Sequence, residues 1–241
     1  MRKKIYPIFS FLVFVVLYIH TAFVLVLIAP FAYLNQRFMV KYILLFWARS
    51  VFWIMGKRLK IVGLENLDRQ KRYIILANHA SLFDIMAIMA IYPDVSWFGH
   101  YRLLKIPVFS QILKMINYIP LRQKSIGNTK KMLNEIIEKS KDHSVAIFPE
   151  GTRTLNGNVQ DFYKGFIYII KASDADVLPV TLKGFYKLKP KNRSYIDFSV
   201  KLSVIINPVV KNAELKSKTD QEIVSYLKSN IELNLANDNI N

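Results

Sequence analysis

The chain has 241 residues, enough for one sizeable domain with a membrane-binding segment beside it. It has no cysteine, which excludes a disulfide framework, thiolate metal sites and a cysteine nucleophile; thioester chemistry would have to use a substrate's sulfur. A formal net charge of +17 calls for an anionic partner: nucleic acid, an anionic membrane surface or an acidic carrier.

Nucleic acid fits least. No helix-turn-helix, RNA-recognition or zinc-finger pattern occurs, and the basic residues accompany a long apolar segment. Residues Ile5 to Gln36 contain no Asp, Glu, Lys or Arg. A helix over that stretch would be roughly 48 Å long, more than a hydrocarbon core of about 30 Å requires. Arg2, Lys3 and Lys4 precede it. A cleaved signal peptide is the alternative, but the run is longer than a usual apolar region of such peptides and lacks a small-x-small cleavage site.

A second apolar stretch, Phe38 to Met55, is interrupted by Lys41 and Arg49 and carries Trp47 and Trp53, which suit a membrane interface. Lys57, Arg58 and Lys60 follow, so both ends of the combined segment are basic and are expected on the cytoplasmic face. Either two helices cross the membrane, or a hairpin dips in and returns, turning near Pro30. A buried core hairpin of a soluble protein is the plainer alternative. The expected organisation is a helical membrane anchor over 1–58 and a catalytic domain over 59–241.

Beyond the anchor, β-rich runs at Tyr73–Ala77, Val95–Phe98, Ser144–Phe148, Val177–Lys183 and Ile196–Ile206 alternate with helical patterns. The helices are expected near Leu82–Ile91, Ile106–Met115, Thr129–Ser140, Phe162–Ala172 and Asp220–Leu235. Such alternation predicts an α/β fold, a mostly parallel sheet flanked by helices. The tail Ala236–Asn241 is polar and expected to fray.

The strand Tyr73–Ala77 runs into Asn78-His79-Ala80-Ser81-Leu82-Phe83-Asp84, and α/β folds place chemistry at such strand ends. Ser81-x-x-Asp84 before an apolar run matches a capping box. With His79 just ahead of the helix, Asp84 can reach back to it, fix its tautomer and leave the other ring nitrogen as a base. These residues alone fit equally a helix cap beside an ordinary loop histidine. Ser81 as a nucleophile is a further reading, weakened because no Gly-x-Ser-x-Gly elbow surrounds it.

Ser144–Phe148 leads into Pro149-Glu150-Gly151-Thr152-Arg153. Pro149 stops the strand and Gly151 permits unusual backbone angles or close approach. Glu150 offers a carboxylate to a hydroxyl, and Arg153 a guanidinium to a phosphate. Upstream, Asn117-Tyr118-Ile119-Pro120-Leu121-Arg122 ends an apolar run on a second arginine. Two arginines near a candidate base point to an anionic, hydroxyl-bearing substrate, although each alone reads as a solvated surface charge.

Together these residues resemble the glycerophospholipid acyltransferase family, its 1-acyl-glycerol-3-phosphate acyltransferases in particular. The family's Asn-His-x-x-x-x-Asp motif is matched by Asn78, His79 and Asp84. Its Phe-Pro-Glu-Gly-Thr-Arg motif is matched in full by Phe148 to Arg153, and its Val-Pro-Val motif by Leu178-Pro179-Val180 with Gly184 following. The likeness runs from about Lys60 to Val210. It implies that His79 is the general base and Asp84 its orienting partner, that Arg122 holds the acceptor's phosphate with Arg153 in support, and that Glu150, Gly151 and Thr152 help to bind the substrate. It also implies acyl transfer from acyl-carrier protein or acyl-coenzyme A to 1-acyl-glycerol-3-phosphate, giving phosphatidic acid, without cofactor or metal, at the cytoplasmic face of a bacterial inner membrane.

A further family motif, usually Gly-x-x-Phe-Ile-x-Arg, is matched only in part: Asn117 stands near the glycine and Pro120-Leu121 precede Arg122, while in the separate segment Gly99–Pro107 His100 and Arg102 replace a common lysine and glutamate. These departures bear on the acceptor more than on the chemistry. A non-catalytic membrane-docked binder of anionic lipids would share the charge and the anchor but needs no base. The cluster Lys183, Lys187, Lys189, Lys191 and Arg193 is expected to hold a carrier or lipid headgroups, or to be a solvated face. His20 and His143 receive no chemical role, because nothing near His20 in sequence supplies a partner.

Overall fold

The structure is a computed structural model that describes residues 5–105, 110, 113–114, 118–121 and 126–236. Arg122, Asn117, most of the helix expected over Ile106–Met115, the basic residues Arg2 to Lys4 and the tail beyond Ala236 lie outside the described residues.

Two antiparallel helices open the chain, α1 (Tyr6–Tyr33) and α2 (Arg37–Ile54). Pro30 does not make the turn expected of it: it lies inside α1, where its missing N–H removes one bond near the helix end. Asn35 turns the chain instead, with φ of 54°, a left-handed conformation that asparagine tolerates better than most residues. One face of the hairpin is buried through Val13, Leu17, Val24, Ile28, Leu44, Val51 and Phe52. Each such side chain contributes roughly 1.5–3 kcal/mol relative to exposure. That core is continuous with the one beneath the sheet.

The opposite face is exposed and apolar, with Ile8, Phe11, Leu12, Tyr18, Ile19, Phe23, Val26, Phe38, Phe46 and Trp53. Of the described helices, α1 alone is long and apolar enough to cross a membrane. His20, which has no partner near it in sequence, finds one across the hairpin: its Nε2 lies 2.7 Å from the Ser50 hydroxyl. Beside it, the Trp47 indole donates to Thr21 at 3.1 Å. Two polar contacts between otherwise apolar helices set their register.

The main sheet has strand order β1-β8-β7-β2-β6-β3: β1 (Leu59–Val62), β8 (Leu202–Ile206), β7 (Asp176–Lys183), β2 (Tyr73–Ala77), β6 (Ser144–Ile147) and β3 (Val95–Ser96). All pairs are parallel except β7–β8. A separate parallel pair joins β4 (Phe98–His100) to β5 (Ile119–Leu121). The central strand β2 is buried throughout because helices cover both faces of the sheet. Its side chains alternate: Tyr73, Ile75 and Ala77 face the hairpin and α3 (Asp84–Ile91). Ile74 and Leu76 face α4 (Ile126–Ser140), α5 (Gly165–Ala172) and α8 (Asp220–Ala236).

Several boundaries differ from expectation for local reasons. The strand expected over Ile196–Ile206 begins only at Leu202, because the Asp197 carboxylate accepts from the Ser199 N–H at 3.0 Å and hydroxyl at 2.6 Å and turns the chain. The run Val95–Phe98 is split between the two sheets at Trp97. The helix expected from Phe162 begins at Gly165, the Tyr163 N–H being bound to the Pro149 carbonyl. Pro179 sits within β7, in the sheet interior. Its carbonyl accepts from the Asn207 N–H, and its missing N–H points to the same side, where pairing with β8 has just ended.

Candidate functional site

The parallel pair β2–β6 brings two loops out side by side at the strands' carboxyl ends, Leu76 being level with Ile147. One loop carries His79 and Asp84, the other Phe148 to Arg153. In parallel sheets this end is where ligands bind.

Asp84 opens α3 and is fully buried. One of its oxygens, Oδ2, accepts three bonds: from His79 Nδ1 at 2.8 Å, from the Ala80 N–H at 2.6 Å and from the Ser81 N–H at 2.8 Å. The carboxylate therefore shapes the loop and orients the imidazole with a single atom. Burial pushes the Asp84 carboxyl up from its ordinary value, and His79 and the two amides pull against that shift. Since a carboxylate can only accept, His79 carries its proton on Nδ1 and presents Nε2 as a base. Among the described residues nothing bonds Nε2. The ring lies flat on Phe148, centroids 4.1 Å apart at 14°, and Phe148 in turn stacks on Trp97 at 5.9 Å.

Only half of the capping box forms. Asp84 reaches back to the Ser81 amide, but the buried Ser81 hydroxyl donates to the Lys189 carbonyl at 2.8 Å. That bond turns the hydroxyl away from the histidine and removes support for Ser81 as a nucleophile. α3 accordingly starts at Asp84, two residues after the expected Leu82.

Glu150 is almost fully buried, and both its oxygens are occupied by backbone amides: the His79 N–H at 2.6 Å and the Gln160 N–H at 2.8 Å. Burial pushes this carboxyl up as well, against the pull of those two amides. The His79 carbonyl accepts from the Thr154 N–H at 2.9 Å, so the histidine's backbone is held to the neighbouring loop on both sides. This geometry makes Glu150 a clamp on the His79 backbone.

Gly151 has φ of 64°, and a Cβ there would come within 2.8 Å of the Tyr163 ring. Thr152 is exposed and Arg153 half-exposed; neither has a hydrogen bond or ion pair among the described residues. Arg122 lies outside those residues, so the structure unites His79, Asp84, Glu150, Gly151, Thr152 and Arg153 only.

Sequence reasoning missed three supports. Asn78 is a bracket: its Oδ1 accepts from the Leu182 N–H at 2.8 Å and its Nδ2 donates to the Leu182 carbonyl at 3.1 Å, tying β2's end to β7. A polar side chain closing an all-apolar strand has to find such partners. The Phe148–Trp97 stack and the Gln160 amide carry no comparable signal, being distant in sequence from what they support.

Comparison with known proteins agrees with this arrangement. Residues 58–183 match the family model described as Acyltransferase. A 1-acyl-sn-glycerol-3-phosphate acyltransferase of Borreliella burgdorferi is 28% identical over 184 residues, covering 74% of this chain and 72% of that protein. A protein of the same name from Cocos nucifera is 30% identical over 157 residues, 60% of this chain and 47% of that one. The chain thus matches about half the length of such plant relatives. The crystal structure of the 1-acyl-sn-glycerophosphate (LPA) acyltransferase PlsC from Thermotoga maritima superposes with a TM-score of 0.81 at 26% identity, covering 98% of this chain and 96% of that one.

Proposed function

The chain belongs to the acyltransferase family, and from that premise we propose that it transfers a fatty acyl group from an acyl thioester to the sn-2 hydroxyl of 1-acyl-glycerol-3-phosphate, yielding phosphatidic acid. One observation carries the chemistry: Asp84 holds Nδ1 of His79 at 2.8 Å, and among the described residues Nε2 has no partner. In this reading Nε2 takes the proton of the acceptor hydroxyl as its oxygen attacks the thioester carbonyl. The tetrahedral intermediate collapses, the carbon–sulfur bond breaks, and the imidazolium returns the proton to the departing thiolate. Asp84 stabilises the imidazolium between these steps. A thioester is already activated, so the reaction as written needs no cofactor.

The acceptor is named by the relatives at Borreliella burgdorferi and Thermotoga maritima and supported by Arg153, a cation with no partner among the described residues. For the donor, acyl-carrier protein and acyl-coenzyme A are both acidic and both suit the +17 charge. The chain associates with membranes through its apolar hairpin face. We further propose that residues 1–58 are the anchor, set on the cytoplasmic side of a bacterial inner membrane. The positions of the basic residues at both hairpin ends support that orientation.

The test is transfer of labelled acyl from each donor to 1-acyl-glycerol-3-phosphate, with His79→Ala in parallel. Protein-dependent phosphatidic acid that falls about 10²–10⁴-fold in the variant is expected. An alanine variant that keeps more than about a tenth of the rate refutes the base assignment.

A further inference from the structure

Three lysines are buried, Lys57 at 7%, Lys183 at 8% and Lys189 at 8% exposure, and Lys57 and Lys189 are treated differently by their surroundings. The Lys57 ammonium donates to the carbonyls of Phe198 and Val200, both at 2.6 Å. Lys189, just past the short helix α6 (Phe185–Leu188), makes one long bond of 3.3 Å to the carbonyl of Pro190, its own neighbour. Among the described residues it has no carboxylate partner.

Burial pushes the Lys189 ammonium down from the usual lysine range, and Arg153 and then Arg193 push it further. All three groups are cations. Arg193 is already employed: its guanidinium donates to the carbonyls of Tyr195 at 3.1 Å and Leu188 at 2.6 Å and to that of Lys187, and it lies over the Tyr195 ring at 4.7 Å. It braces the loop that carries Lys189. Lys189 and Arg153 are the two cations left without such partners.

A buried lysine with two unused donors and no counter-charge is unfavourable, and such a group beside a candidate catalytic loop is a functional-site candidate. The location is specific. The Lys189 carbonyl accepts the Ser81 hydroxyl at 2.8 Å, which ties this segment to the loop holding His79 and Asp84. Arg153 comes from the neighbouring loop: it precedes Thr154, whose N–H donates to the His79 carbonyl at 2.9 Å, and its charge acts on Lys189.

We infer that Lys189 and Arg153 form a two-cation cradle for the acceptor's phosphate, with Lys189 the residue that selects a phosphomonoester over an uncharged headgroup. The inference rests on the acceptor reading above and adds to it a residue outside the motifs that carry the family resemblance. Its sequence neighbours Lys187, Lys191 and Arg193 suggest a solvated basic face; burial sets Lys189 apart from them.

The experiment compares wild type, Lys189→Met and Lys189→Arg with 1-acyl-glycerol-3-phosphate and with 1-acylglycerol, which lacks the phosphate. Methionine keeps the length and removes the charge. Lys189→Met is expected to raise KM for the phosphorylated acceptor about 10- to 100-fold, the loss of a charge-assisted bond, with kcat changed much less. The preference for the phosphorylated acceptor falls by the same factor, and Lys189→Arg restores most of it. In phosphate-free buffer Lys189→Met melts no lower than wild type, and added inorganic phosphate raises the Tm of wild type more than that of the variant. An unchanged KM, an equal loss with both acceptors, or a Lys189→Met that melts well below wild type each overturns the assignment. A wild type that ignores 1-acyl-glycerol-3-phosphate is a different failure, that of the acceptor reading itself.

Discussion

Asp84→Asn separates the two duties that the structure gives this carboxylate. All three of its accepted bonds converge on Oδ2, while Oδ1 is buried with no partner among the described residues. An asparagine can put its one oxygen where Oδ2 stands and keep the loop, the imidazole orientation and the Nδ1–H tautomer. Its NH2 then occupies the Oδ1 position without an acceptor, at a cost of about 1–3 kcal/mol, partly offset because a buried charge is gone. For a chain of this size a loss of that order lowers Tm by less than about 10 °C. The rate responds differently. The imidazolium formed during transfer loses a carboxylate whose attraction is about 4 kcal/mol at 4 Å and an effective dielectric of about 20. The amide dipole recovers part of it, so kcat is expected to fall about 10²–10³-fold, or roughly 2.7–4 kcal/mol. The assay is initial-rate acyl transfer in detergent micelles, with melting of the same preparation. A folded Asp84→Asn that keeps more than a fifth of wild-type kcat would show that the carboxylate serves only to shape the loop.

Glu150→Gln leaves one of two backbone amides, that of His79 or of Gln160, facing an NH2 group. The unmet donor is expected to destabilise by about 1–3 kcal/mol and, by loosening His79, to lower kcat about tenfold or more with little change in acceptor KM. A raised KM at unchanged Tm would instead support a ligand-binding role for Glu150. Lys57 predicts a pH effect on stability. Burial lowers its pKa from 10.5 in the folded state, so between the lowered value and 10.5 the unfolded chain binds more protons and stability rises with pH. Melting temperatures of wild type and Lys57→Met across alkaline pH should therefore shift in favour of wild type as pH approaches 10.5; a gap independent of pH contradicts this.

Sequence alone was enough for the layer class and for singling out the residues that the two loops bring together. His79, Asp84 and Phe148–Arg153 are local motifs at the ends of apolar runs, and local patterns can be read without knowing what packs against them. The same holds for β2, whose bounds Tyr73–Ala77 agree with the structure because a central parallel strand is apolar throughout. Short edge elements were not legible: β1 (Leu59–Val62) and β5 (Ile119–Leu121) have few residues and no periodicity, and pairing with distant partners makes them strands.

Tertiary structure alone decided what each polar group does. Glu150 reads from sequence as a ligand contact and Ser81 as a helix cap, but each also bonds a backbone group far away in sequence, 71 and 108 residues off. His20 lacks a local partner and bonds Ser50, 30 residues on. Lys189 reads as one of a run of surface cations, and only folding buries it beside the catalytic loop. The physical reason is common to all four. Propensity and hydrophobic periodicity act between near neighbours and are written into short segments. The partner of a buried polar group is fixed by which strand ends the sheet order brings together, and a side chain's chemistry narrows its partners without choosing among them.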